Sequence, residues 1–256
     1  MIKYYQRFGA LKILLFTFTV SFSFAQTNYM QENFLGVSQF SHLITTNPVL
    51  SKFEFGSGYM DMVRILENGQ TGGYLKALQA VPFSPNPETL YIQISFSVEE
   101  INETWANAVF FYSGENFNPD NNQITPNNLL FSRFTLNFLS SGFQVHDVEM
   151  GKNSSILPLK TLVTITWVLN NSVDGQIYRK PESAQPEYKV MPGRYDLWVN
   201  DELIADDAKA YPGSLVYSIT KLSNFEIRFW RGAGRVRFTN LRIRDITNIL
   251  LLHNND

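Results

Sequence analysis

Apolar and polar residues alternate with a period of two along most of the chain, which marks strands with one face on a core and the other in water. The cleanest run is Thr89–Val98, where Ile92, Ile94, Phe96 and Val98 point one way and Tyr91, Gln93, Ser95 and Ser97 the other. The same pattern predicts strands at Val49–Phe55, Tyr59–Leu66, Tyr74–Gln79, Ala108–Ser113, Leu129–Leu139, Phe143–Met150 and Leu162–Asn170. In Tyr59–Leu66 either face reads as the core, and residues 26–48 predict a first edge strand plus a loop. A last group follows Pro192: Gly193–Ile204, Leu215–Leu222, Phe225–Trp230 and Arg235–Arg244. Asn200-Asp201 sits where a hairpin turn belongs, and Gly232-Ala-Gly234 reads as the turn between the last two strands. Pro82, Pro85 and Pro87 exclude regular sheet from Val81–Pro87, because proline lacks the ladder donor. Glu99–Asn107 alone has a helical character, and Asn171–Met191 reads as a long loop or a distorted hairpin.

About a dozen closely spaced strands, with none of the roughly 40–50-residue repeat of a propeller, predict an all-β chain. The expected architecture is a two-sheet antiparallel β-sandwich of the jelly-roll kind.

The N-terminus changes the setting. Lys3, Arg7 and Lys12 precede or open an apolar run from Leu11 to Phe24, and Ser23-Phe-Ala25 fits a signal-peptidase site. Residues 1–25 are therefore read as a cleaved secretory signal, with residues 26–256 forming a single sandwich domain. The apolar run is shorter than the roughly 20 residues that span a bilayer, so no transmembrane segment is expected after cleavage. The expected location is secreted, periplasmic or on the cell surface. Cleavage takes three basic residues and no acidic ones, moving the net charge from −2 to −5. A mildly acidic chain without basic blocks does not match a nucleic-acid binder. The chain has no cysteine, so an exported fold must be held by core burial rather than disulfides.

Residues 89–244 resemble the concanavalin A-like lectin/glucanase superfamily, in particular laminin-G-like domains. The resemblance is carried by Leu197-Trp-Val-Asn-Asp-Glu-Leu-Ile204, similar to that group's strand–turn–strand, and by the closing Val236–Ile243 strand. Asp201 stands where the group usually has glycine. The resemblance implies a polysaccharide or glycan ligand lying across a sheet or over its rim, and it allows a structural calcium ion with unassigned ligands.

Strand phase then selects candidates. Trp167 shares its phase with Val163, Ile165 and Leu169 and is expected in the core. Trp198 instead shares its phase with Asp196, and Trp230 with Glu226 and Arg228. Indoles on polar faces can stack on the apolar face of a pyranose while neighbouring charged groups bond its hydroxyls. Trp198, Trp230, Asp196, Glu226 and Arg228 are accordingly expected to form one binding platform, with Gln93 and Thr166 joining it if their strands are adjacent. The alternative is that both indoles are packing.

A second constellation is Phe143-Gln-Val-His-Asp-Val-Glu149. Asp147 and Glu149, two apart on one strand face, would lie about 7 Å apart, a spacing compatible with a retaining glycosidase. The segment resembles laminarinase-type glycosidases, but Val145 stands where their nucleophilic glutamate would be. Gln144-Val-His146 is similar to the Gln-(Ile/Val)-His element of jelly-roll alginate lyases, whose other motifs are absent. An enzyme reading, polysaccharide lyase or glycoside hydrolase, would therefore rest on His146 and Gln144 or on Asp147 and Glu149. Asn116–Asn122 offers oxygen ligands at alternate positions but only one carboxylate, Asp120, so a solvated turn is expected there rather than a calcium loop. Three histidines, His42, His146 and His253, do not make a structural zinc site. The leading expectation is a secreted, non-catalytic glycan-binding domain. The alternatives are the enzyme and a structural or adhesive cell-surface module.

Overall fold

The computed structural model describes residues 27–66, 72–180, 186–212 and 217–247. The expected signal at 1–25, most of the C-terminal tail and His253 lie outside the described residues. The first strands are β1 (Asn28–Glu32), β2 (His42–Thr45), β3 (Ser51–Gly56), β4 (Tyr59–Arg64), β5 (Leu75–Gln79) and β6 (Thr89–Glu103). The middle of the chain adds β7 (Trp105–Gly114), β8 (Leu130–Leu139), β9 (Gly142–Asp147), β10 (Lys152–Asn153) and β11 (Val163–Asn170). The last are β12 (Gln176–Tyr178), β13 (Tyr188–Val190), β14 (Arg194–Val199), β15 (Glu202–Lys209), β16 (Asn224–Phe229) and β17 (Ala233–Asp245).

These strands build a two-sheet antiparallel β-sandwich. The eight-stranded sheet runs β15-β14-β11-β6-β17-β4-β3, with β1 also paired to β17. The seven-stranded sheet runs β10-β9-β8-β7-β16-β5-β2, and β12 and β13 form a separate hairpin. β17 pairs with β6 along one edge, and on the other edge with β4 and then β1.

Inward-pointing residues of the two sheets meet in one core. Phe96 and Phe238 come from the eight-stranded sheet, Phe111 and Phe134 from the seven-stranded one. Phe111 and Phe134 stack at 4.4 Å between centroids, and Trp167 meets Phe134 edge-on at 5.1 Å. Trp167 is thus a core residue, as its phase predicts. Burial of each such ring contributes about 1.5–3 kcal/mol, which lets a chain without disulfides hold together. Met60 and Met62 supply the core face of β4, deciding between the two phases left open by the sequence.

Three local expectations are corrected. Glu99–Asn107 is not helical: Glu99–Glu103 extends β6, and pairing with β17 as far as Ala233↔Glu103 overrides local propensity. The described part of Leu215–Leu222 is a turn, because Ser218 and Lys221 are drawn onto one buried carboxylate. Ser218 Oγ donates to Glu115 at 2.6 Å and Lys221 Nζ at 2.8 Å. Gly232-Ala-Gly234 does not close a hairpin, since β16 and β17 belong to opposite sheets and the segment carries the chain across between them. Gly232 takes a left-handed φ of 68°, and a Cβ there would approach the Glu103 carbonyl at 3.0 Å. Asn171–Met191 contains the β12–β13 hairpin, while Asn200 takes the left-handed φ of 52° that the Asn200-Asp201 turn requires.

Candidate functional site

The five residues expected on one platform divide between the outer faces of the two sheets. Trp198 and Asp196 lie on β14 of the eight-stranded sheet, whereas Glu226 and Arg228 lie on β16 of the seven-stranded sheet, with Trp230 just beyond it. All five point away from the core, as their phase predicts. Because β14 and β16 never share a sheet, the joint platform does not form.

Trp198 is also not an open surface. It is 5% exposed, with Tyr188 of β13 edge-on at 4.7 Å and Lys180 Nζ 4.6 Å above the ring. Its Nε1 donates to Tyr178 Oη (2.9 Å), which in turn donates to Asp196 Oδ2 at 2.5 Å. The β12–β13 hairpin therefore caps this corner, and burial pushes the Asp196 carboxyl up to about 6. Gln93 and Thr166 do stand beside Trp198 on the same face, in the register Trp198↔Thr166↔Gln93.

On the outer face of the seven-stranded sheet, one half is closed and the other open. Glu226, Arg228 and Lys76 are buried side by side beneath the Asn116–Asn122 segment. Arg228 Nε donates to Glu226 Oε1 (2.7 Å) and its Nη1 to the Gln123 carbonyl (2.6 Å). Lys76 Nζ donates to the carbonyls of Asn118, Pro119 and Asn121 at 3.2, 2.9 and 3.1 Å. An ammonium group thus sits where the Asn-rich loop converges its carbonyls, and the loop packs on the sheet rather than standing free as a solvated turn. Burial pushes the Glu226 carboxyl up and the Lys76 ammonium down, each opposed in part by its oppositely charged neighbours.

The open half begins where that loop ends. One register row runs from it into the closed half as His146↔Thr135↔Phe110↔Arg228↔Lys76. Phe110 and Trp230 are half-buried rings on this face, and the Arg228 guanidinium lies 5.4 Å from the Trp230 ring. Beside them runs a chain of side-chain hydrogen bonds. Thr135 Oγ1 donates to Asn107 Oδ1 (2.7 Å), and the Asn107 backbone N–H donates to Asn137 Oδ1 (2.8 Å). Asn137 Nδ2 donates to Asn153 Oδ1 (3.3 Å), which is 2.9 Å from His146 Nδ1. Asn107 joins because the β7–β8 ladder is irregular between Trp105 and Val109, and its left-handed φ of 54° is tolerated by asparagine.

Gln144 and His146 belong to this open face, opposite Asn137 and Thr135. Asp147 and Glu149 do not form the expected carboxylate pair. β9 ends at Asp147, whose side chain is fully buried between the sheets and takes hydrogen bonds from Tyr195 Oη (2.7 Å) and the Met150 amide (2.6 Å). Glu149 lies beyond the strand and pairs with Arg133 Nε at 2.9 Å. A carboxyl locked to an opposite-sheet tyrosine has no substrate access, so Asp147 is a structural residue. Among the described residues no group of three or more His, Asp or Glu is placed to hold a metal ion. No helix among them is long and apolar enough to cross a membrane.

No protein-family model and no curated protein sequence matches the chain. Solved structures do. A sialidase superposes with a TM-score of 0.51 at 10% identity, covering 87% of this chain and 19% of the sialidase. A Bacillus subtilis protein of unknown function with a galectin-like fold superposes with a TM-score of 0.51 at 7% identity, covering 86% of this chain and 98% of that one. The chain thus spans about a fifth of the sialidase. At such identities the likeness is one of fold, a β-sandwich consistent with the concanavalin A-like arrangement.

Sequence reasoning missed Phe110, Asn107, Asn137 and Asn153. The phase of Leu129–Leu139 sets Asn137 and Thr135 on the polar side, so that signal was available. Phe110 carries none, because its neighbours Val109 and Phe111 are equally apolar and only the core distinguishes them.

Proposed function

We propose that the chain is an exported, non-catalytic carbohydrate-binding sandwich of the concanavalin A-like superfamily. Its binding surface is the open outer half of the seven-stranded sheet. The observation that carries this reading is the pairing of two half-buried rings, Phe110 and Trp230, with the polar set Asn107, Asn137, Asn153 and His146, whose link through Asn107 is anchored below the surface by the buried Thr135. Rings accept the apolar face of a sugar, and amides with both donor and acceptor atoms suit its hydroxyls. From β9 to β16 is three strand spacings, about 14 Å, enough for two or three sugar rings. That a stretch of a protein named a sialidase shares this fold is in keeping with a carbohydrate ligand. The buried Asp147 and the paired Glu149 favour binding over hydrolysis.

The test is glycan-array and affinity-electrophoresis binding by the parent protein and by Phe110→Ala, Trp230→Ala and Asn137→Ala. Each ring contributes about 0.5–1.5 kcal/mol in stacking, so each alanine is expected to weaken binding roughly 2- to 10-fold. A parent protein that binds no glycan, or binding untouched by all three changes, overturns the assignment and leaves the adhesive module. New reducing ends or unsaturated uronides from a polysaccharide panel would restore the enzyme, with Gln144 and His146 as its remaining candidates.

A further inference from the structure

The outer face of the eight-stranded sheet holds a cation that nothing so far uses. β17 carries four outward arginines in two pairs of equal spacing, Arg235 with Arg237 and Arg242 with Arg244. The first pair is neutralised: Arg235 Nη1 meets Glu54 Oε2 at 2.5 Å and Asp61 Oδ2 at 2.6 Å, and Arg237 holds both oxygens of Asp61. Arg242 differs. Among the described residues it has no ion-pair partner, its Nε is buried without a hydrogen bond, and its Nη2 reaches only Asn28 Oδ1 at a long 3.5 Å. Arg244, two residues along on the same face and 4.4 Å from the Tyr91 ring centroid, has its guanidinium pKa lowered chiefly by burial, opposed by Tyr91 and reinforced in smaller part by the like charge of Arg242. Two adjacent guanidinium groups repel, so an anion held at Arg242, which has no ion-pair partner among the described residues, offsets that repulsion.

The surroundings say what kind of anion. The register row through Arg242 reads Gln31↔Arg242↔Gln93↔Thr166, and the next row back from the bulge sets Asn240 beside Ser95 and Thr164. Flanking the charge are therefore amides and hydroxyls across four strands, with Ser95 Oγ and Thr164 Oγ1 already 3.0 Å apart. Such a surface offers a bidentate fork to a carboxylate or sulfate and hydrogen bonds to hydroxyls on either side. We propose that this face binds the carboxylate or sulfate group of an acidic polysaccharide through Arg242, with Gln31, Gln93, Ser95 and Thr164 contacting the adjoining sugar hydroxyls. The site lies on the sheet opposite Phe110 and Trp230, so its fate does not depend on theirs.

Affinity electrophoresis of the full chain tests it at low salt, in gels containing polygalacturonate, a sulfated galactan, or neutral agarose. Inorganic sulfate serves as a separate titrant. Retardation is expected in at least one acidic gel, with Arg242→Gln reducing the affinity tenfold or more and Arg242→Lys retaining part of it. Arg242→Gln is also expected to keep the parent's thermal midpoint or raise it, since like-charge repulsion is removed; a purely structural arginine would lower it. Equal retardation of parent and Arg242→Gln, or no retardation in either acidic gel, overturns the site. Binding of inorganic sulfate without either polymer overturns the polysaccharide assignment. Retention of acidic-gel binding by Phe110→Ala separates this site from the one on the other sheet.

Discussion

Replacing Arg228 by methionine tests how the closed half of the seven-stranded sheet is built. In the native chain Arg228 and Glu226 are both at most 2% exposed and 2.7 Å apart, and Arg228 also satisfies the Gln123 carbonyl. Methionine fills much of the volume but leaves the Glu226 carboxylate buried, with Thr125 Oγ1 at 3.3 Å as its remaining hydrogen-bond donor. Breaking a buried pair from one side costs about 3–5 kcal/mol, because the remaining carboxylate loses its hydrogen-bonded counter-charge and keeps only the neighbouring Lys76 ammonium. For a domain of this size that is a fall of roughly 6–20 °C in Tm. Glu226→Leu combined with Arg228→Met removes both charges and should recover most of the loss. Urea denaturation of the two single variants and the double variant at pH 7, read as midpoints at constant m-value, completes the cycle. Burial already pushes the Glu226 carboxyl up, so the penalty of Arg228→Met should shrink at pH 4, where the stranded group takes a proton. A loss below about 1 kcal/mol, or a double variant as damaged as the sum of the singles, refutes the pairing as the organising feature.

Three further outcomes follow from other parts of the molecule. Trp198→Ala should cost about 3–5 kcal/mol in urea denaturation while leaving neutral-glycan affinity unchanged, since the ring is capped by Tyr188 and Lys180; a selective loss of binding would contradict this. The Asp196 carboxyl, at about 6 against 3.8 for the free group, keeps in the folded chain a proton that the unfolded chain releases. Its contribution to stability is therefore fullest below pH 4 and falls by about 3 kcal/mol as pH rises to 6 and above, a slope that Asp196→Asn should remove from urea midpoints taken across that range. Lys76→Met withdraws the donor from three loop carbonyls, and limited proteolysis is expected to cut within Asn116–Gln123 faster than in the parent; an unchanged cleavage rate would show that the ammonium does not hold the loop.

Much of this molecule is legible without coordinates. The alternation in Thr89–Val98, Leu129–Leu139 and Leu162–Asn170 places Ile94, Leu136 and Trp167 inward and Gln93, Asn137 and Thr166 outward, and the sheets agree. Asn200-Asp201 marks its turn because few residues tolerate that backbone. Less legible were features made by contact with a distant segment. Glu99–Glu103 is a strand because β17 lies beside it, and residues 217–222 turn because Glu115 gathers their side chains.

In and out is a local property, written in every second side chain, and so the chain alone determined an all-β sandwich and the outward phase of Trp198 and Trp230. Which outward residues become neighbours is a different matter, because backbone hydrogen bonding is the same for every strand and carries no address. Packing of the whole core chose that β14 joins one sheet and β16 the other, parting the two tryptophans and bringing His146 into a row with Phe110 and Arg228. Only the tertiary structure could decide that, since the partner of each strand is set by residues far away in the chain.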